Sequence, residues 1–199
     1  MTQTALDLLK KRRTQYALGR NVTQDKAAIT ALIEEAIRQA PSSFNSQSSR
    51  AVILFGDESV RFWKLVEDAL REVAPAEGFE RTVAKLQGFA AGVGTVLFYE
   101  DQDTVKALQE QFPLYADAFP AFSEHSAGMA QYAVWLTLAD AGIGASLQHY
   151  NPVVDARAAE TWKVPASWKL RAQMPFGSNE APIGDKTFID DAKRFIVAG

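Results

Sequence analysis

The chain has 199 residues, 47% of them apolar and 23% charged, with a net charge of −3, which is the composition of an ordinary folded domain with a sizeable core. Its basic residues are scattered, which argues against nucleic acid, because binding a phosphate backbone needs a positive face. The lack of cysteine excludes disulfides, thiol catalysis and Cys-based zinc or iron–sulfur sites. The opening MTQTALDLLKKRR has no secretory pattern and no run is long enough to span a bilayer, so a cytoplasmic address is the default expectation.

Leu6, Leu8 and Leu9 predict a short amphipathic helix over 4–12. A stronger one follows Thr23, with Ile29, Leu32, Ile33, Ala36 and Ile37 at helical spacing and Pro41 as its stop. Then comes APSSFNSQ (40–47), with Ser48 and Ser49 behind it. A turn needs one or two such polar side chains, not seven. AVILF (51–55) reads as a buried strand, 58–73 and 79–87 as helices, and GVGTVLFYE (92–100) as a second buried strand. QFPLYADAFPAFSEH (111–125) has no clean period and suits a loop or broken helices covering a pocket. Ser123 is a candidate cap for a long helix over 124–141, apolar on most of its surface and therefore central or set against a partner chain. GIGASLQHY (142–150) reads as a turn and strand, 153–162 as a helix, WKLRAQMPFG as a strand, and RFIVAG as a final strand. With no linker or repeat in between, 1–199 is expected to form one α+β domain.

The chemistry-bearing patterns are few. GFAAGVG (88–94) precedes a strand, whereas a dinucleotide loop follows one, so its glycines read as close packing. His125 and His149 are far apart in sequence, and no metal-ligand spacing is present. His149 sits beside Gln148, Tyr150 and Asn151, as part of a site or as a half-buried histidine. KKRR (10–13) places four cations at a helix end. The helix dipole accounts for two of them; a phosphate clamp would use the others.

An Arg-Arg-Thr after the first helix, Pro-Ser-Ser-Phe-Asn-Ser-Gln after the second, a glycine-rich strand entry late on and a lysine near the end occur in this order. Together they resemble the nitroreductase family of flavoproteins along essentially the whole chain. RRTQYALG, APSSFNSQ, ASLQHYNP and MPFG are most similar to its short branch, related to the fatty-acid-repression-mutant (Frm2-like) proteins.

The resemblance implies a mixed, mainly antiparallel sheet flanked by helices, in an intertwined homodimer with FMN at the interface. It implies that Arg12, Arg13 and Thr14 form the first FMN-contacting segment, with arginine to the phosphate. Ser42, Ser43, Asn45 and Gln47 would face the flavin and ribityl chain. Leu147, Gln148 and His149 would pass the isoalloxazine edge near N5, with Lys186 at the phosphate and Gln87 near the ring. These residue types suit the ligand: a flat ring with amide-like edges needs small in-plane donors and acceptors, and a phosphate needs cations. Many members carry Lys or Arg where this chain has Tyr16; Lys85 or Arg13 is the alternative cation, or the flavin is less readily reduced.

The activity implied is NAD(P)H-dependent reduction of nitroaromatics, quinones or similar acceptors, with hydride passing through flavin N5 in ping-pong order and no catalytic side chain. Phe44, Tyr115, Phe119 and Phe122 either line the acceptor pocket or are core packing. Two rivals stay open: a flavin-binding sensor of low turnover, and a non-flavin interaction domain in which APSSFNSQ is a capped loop.

Overall fold

The computed structural model describes residues 4–199. Its elements are α1 (Ala5–Lys11), β1 (Leu18–Gly19), α2 (Lys26–Gln39), β2 (Ser49–Phe55), α3 (Asp57–Val73), α4 (Phe79–Ala90), β3 (Gly94–Asp101), α5 (Gln102–Gln111), α6 (Phe119–Asp140), β4 (Gly144–Ala145), α7 (Asp155–Trp162) and β5 (Trp168–Asn179). The strands form one sheet in the order β1-β5-β3-β2, with β4 also paired to β5, and each of these ladders is antiparallel. This is the α+β architecture that the sequence predicts, a mainly antiparallel sheet flanked by helices.

The period-2 alternation of β3 explains the layering. Val96 and Phe98 face a core shared with Ile29 and Ile33 of α2 and Val134 and Leu138 of α6. Leu97 and Tyr99 face the opposite core, with Phe62, Trp63 and Val66 of α3 and Leu86 and Phe89 of α4. Both faces of the sheet are thus covered, which is why the strand reads as a continuous apolar run. The glycines before it allow close approach: a Cβ at Gly92 would sit 2.5 Å from the Phe176 carbonyl oxygen, and one at Gly94 would meet that of Leu54.

Local signals set the helix ends. Thr4 and Asp7 form a capping box on α1, and Lys10 and Lys11 occupy its last turn. Only two of the four cations of KKRR therefore serve the helix end. The Asp25 side chain caps α2 by accepting from the Ala28 N–H at 2.8 Å.

Several expected boundaries move. α6 begins at Phe119, not at 124, because Pro120 falls in its first turn, where a missing N–H costs nothing. Ser123 is consequently buried inside the helix and is not its cap. The strand expected in 142–150 shrinks to Gly144–Ala145 plus a bridge between Gln148 and Gln173. RFIVAG forms no strand: residues 182–199 are exposed throughout and join no ladder. The helix α5 and the short β1 were not predicted.

Candidate active site

The segment after α2 turns through a single 3-10 turn, Ser43–Asn45, into β2. Phe44, Asn45 and Gln47 hold left-handed backbone, with φ of 57°, 49° and 49°. Such conformations cost roughly 1–3 kcal/mol each and persist only where neighbours fix them. Here the fixing groups are hydroxyls. Ser42 Oγ accepts from the Gln47 N–H at 2.9 Å, and the Ser43 N–H donates to Ser126 Oγ on α6 at 3.2 Å. Behind them, Ser48 Oγ donates to the buried Glu100 carboxylate at 2.5 Å, as do Ser49 and Ser123.

The polar residues of APSSFNSQSS therefore divide in two. Ser42, Ser46, Ser48 and Ser49 through their hydroxyls, and Ser43 through its N–H, hydrogen-bond within the chain and hold the segment in place. The side-chain amides of Asn45 and Gln47 form no such bond among the described residues, and both residues are exposed. Ser42, Gln47 and Ser49 border a cavity of about 410 Å³ that Arg50, Ser126 and Trp168 also line.

The aromatic residues expected at an acceptor pocket do converge. The Phe44 ring lies 4.9 Å from Phe112, 5.2 Å from Phe119 and 6.2 Å from Tyr115, and Phe119 lies 5.9 Å from Phe122. The members of this cluster differ in burial. Phe119, 2% exposed, is core, whereas Phe44 and Tyr115 are half-exposed at 51% and 49%.

A second group forms around the other half of α6. Thr14 bridges Ala145, and the Gln15 N–H donates to the Ala145 carbonyl at 2.9 Å, bringing Arg12-Arg13-Thr14 beside the segment that runs on to Leu147, Gln148 and His149. Gln148 is buried and exchanges two backbone hydrogen bonds with Gln173 of β5, at 2.7 and 2.9 Å, while His149 is exposed. The Arg12 guanidinium stacks on Trp135, 4.4 Å from the ring centroid, and its Nε is buried with no hydrogen-bond partner. Tyr16 and Lys85 border one depression with Phe89, and Gln87 is exposed on the same helix, α4. Burial, and then the neighbouring Tyr16, raise the pKa of Tyr150.

Within one chain these two groups are not joined. Ser43 meets α6 at Ser126, whereas Arg12 meets it at Tyr132 and Trp135. Lys186 stands apart in the exposed carboxy-terminal segment, with its Nζ 5.1 Å from the Phe188 ring. Among the described residues no three acidic or histidine side chains are grouped to hold a metal ion. Glu100, Ser123 and Ser126 carry part of this geometry and were not anticipated. The available signal was a glutamate closing the apolar run TVLFYE.

A model of the nitroreductase family matches residues 9–178. The chain belongs to the nitroreductase family. With that membership it is an oxidoreductase. The yeast nitroreductase FRM2 from Saccharomyces cerevisiae is 33% identical over 192 residues, 96% of this chain and 95% of its own, as the Frm2-like motifs predict. Nitroreductase CinD from Lactococcus lactis, in complex with nicotinic acid, is 52% identical, with a TM-score of 0.92 over 98% of this chain and 100% of CinD. A nitroreductase with bound FMN from Desulfitobacterium hafniense, 16% identical, shares the nitroreductase fold at a TM-score of 0.72 over 100% of both chains.

Proposed function

We propose that the chain is an FMN-dependent, NAD(P)H-driven reductase of nitroaromatics, quinones or similar acceptors, working as a homodimer of single-domain protomers spanning 1–199. The observation that carries this reading is the presentation of the Asn45 and Gln47 amides on strained backbone, with no partner of their own among the described residues. Each offers a donor and an acceptor in one plane, the pattern that a flavin edge requires. Ser43 and, from the second group, Leu147 and His149 would complete the ring contacts, while Gln148, whose backbone is paired with Gln173, would hold that segment in place.

Arg12 fits a phosphate, because its buried Nε–H lacks an acceptor within the described residues and an anion would supply one. Arg13, Thr14 and Lys186 would share that role, and Gln87 would approach the ring. The chemistry supplied by bound FMN is hydride transfer through N5, first from the nicotinamide and then to the acceptor in the same place. The chain's own residues bind, orient and cover. Phe44 and Tyr115, half-exposed, would line the acceptor side, while Phe119 and Phe122 support them. The nicotinic acid bound to CinD is the acid counterpart of nicotinamide, which agrees with a nicotinamide donor.

Two copies would bring the separated groups together. Met129 and Tyr132 of α6 are exposed, and so are Phe188, Ile189, Phe195, Ile196 and Val197 of the tail, an apolar surface that a second protomer would bury.

The test is an absorption spectrum of the freshly purified protein, followed by anaerobic addition of NADH and of NADPH. Rapid bleaching of a flavin band supports the reductase and identifies the donor. A flavin that stays oxidised favours the low-turnover sensor, for which Tyr16 in place of a cation is the specific argument. Protein that is colourless and takes up no added FMN overturns the reading.

A further inference from the structure

Glu100, the penultimate residue of β3, is 1% exposed, and its side-chain partners are hydroxyls. Ser48 donates to Oε2 at 2.5 Å, Ser123 donates to the same oxygen at 2.7 Å, and Ser49 donates to Oε1. Burying a carboxyl group is unfavourable unless its acceptor sites are filled, and an apolar residue would close the strand at less cost. The arrangement therefore needs a reason other than packing.

Its three partners supply one, because they come from different places. Ser48 and Ser49 are where the strained segment Phe44–Gln47 runs into β2, and Ser49 is paired with Glu100 across the sheet. Ser123 follows Phe122 in the first turns of α6, beside the aromatic residues that pack on Phe44. One carboxylate thus holds both the left-handed segment and the helix turn bearing Phe119 and Phe122. Left-handed non-glycine backbone persists only when its surroundings over-determine it, and a shared acceptor does this from two sides at once.

We propose that Glu100 is a positioning residue that locks the segment 42–49 and the aromatic turn 119–126 into one mutual geometry, so that loosening either loosens the other. The identity of these two segments as cofactor edge and acceptor cover rests on the function proposed above; the coupling itself does not.

The experiment is amide hydrogen exchange on the full chain without FMN, for wild type, Ser123→Ala, Glu100→Gln and Glu100→Leu, followed by FMN titration of each. Ser123→Ala removes a single hydroxyl whose bond is to Glu100, yet it should speed exchange across 43–49 about 10-fold, while β5 keeps its wild-type rates. Its FMN dissociation constant should rise by about the same factor. Glu100→Gln keeps an oxygen for Ser48 and Ser123 and offers an amide N–H to Ser49, so it should stay within about 3-fold of wild type. Glu100→Leu should loosen both segments more than Ser123→Ala does; should it fail to fold, the other two variants still decide the question.

Acceleration confined to 119–126 in Ser123→Ala overturns the coupling, and so does equal acceleration in β5, which would mark a general loss of stability. Glu100→Gln behaving no better than Glu100→Leu or Ser123→Ala overturns the hydroxyl clamp. If wild type takes up no FMN, the proposed function fails, while the exchange pattern still tests the coupling.

Discussion

The guanidinium of Arg12 lies over Trp135 with its central carbon 4.4 Å from the ring centroid, while its Nε is buried without a hydrogen-bond partner among the described residues. Stacking fixes the plane of the fork and leaves N–H groups directed by geometry rather than by an internal acceptor. Arg12→Ala should weaken FMN binding about 100-fold, as expected for loss of hydrogen bonds to a charged group worth roughly 1.5–3 kcal/mol. Arg12→Lys should fall between, since an ammonium keeps the charge but neither the fork nor the stack. Titration of apoprotein at two salt concentrations checks both. Equal affinity in all three proteins would remove Arg12 from the phosphate site.

Phe44 and Phe119 touch, yet their alanine variants should fail differently. Phe119 is 2% exposed, and its truncation should lower stability by about 3–5 kcal/mol, read by chemical denaturation. Phe44 is 51% exposed on strained backbone, so Phe44→Ala should cost much less stability and instead change the KM for aromatic acceptors several-fold. Steady-state kinetics with two acceptors of different size, set beside the denaturation curves, separate the roles. Acceptor kinetics left unchanged by Phe44→Ala would take that ring out of the pocket.

Lys85 and Tyr16 border the same depression, with Lys85 Nζ 5.6 Å from the Phe89 ring and Tyr16 6.3 Å from it. A cation near a flavin favours its reduced, negatively charged form. Lys85→Gln should therefore lower the two-electron potential of bound FMN by an amount on the order of 30 mV, and Tyr16→Lys should raise it. Equilibration with redox dyes measures both. No shift in Lys85→Gln would leave Arg13 as the cation, or a flavin with none and a lower potential.

Asp155 opens α7 with its carboxyl raised from its ordinary value by burial, against the hydrogen bond from Asn151 and the pull of Arg171 and Lys169. The folded chain binds this proton more tightly than the unfolded chain. The contribution to stability is therefore full below the unfolded value near 3.8 and is lost as pH rises through the folded one. Asp155→Asn removes the titration. The Tm difference between variant and wild type should move in the variant's favour as pH rises from below 3.8 through the raised folded value. A difference constant over that window would show that Asp155 titrates alike in both states.

The sequence made the fold readable where pattern and burial agree. TVLFYE announces itself because both faces of its strand are buried, and the helix-spaced isoleucines of α2 because their period maps onto one buried face. RFIVAG misled because its apolar residues match a strand but find no ladder among the described residues; Ile196 and Val197 are 97% and 95% exposed. Short-range composition likewise gave Ser123 the wrong task. Its hydroxyl is claimed by Glu100, a residue 23 positions away, and no local pattern carries that information. The site was legible as a set of segments through the family motifs. Which hydroxyls hold the loop and which amides face outward depends on long-range partners that only the tertiary fold brings together.

The strand at the middle of the sheet is supplied last. β5, residues Trp168–Asn179, is flanked by β1 and β4 on one side and β3 on the other, so a growing polypeptide has made β1, β3 and β4 before their shared neighbour exists. Until then Val96, Leu97 and Phe98 border an open backbone edge, the kind of surface on which nascent chains pair with one another. A chain that ends before Trp168 would keep that edge open, and it should self-associate where the full chain does not.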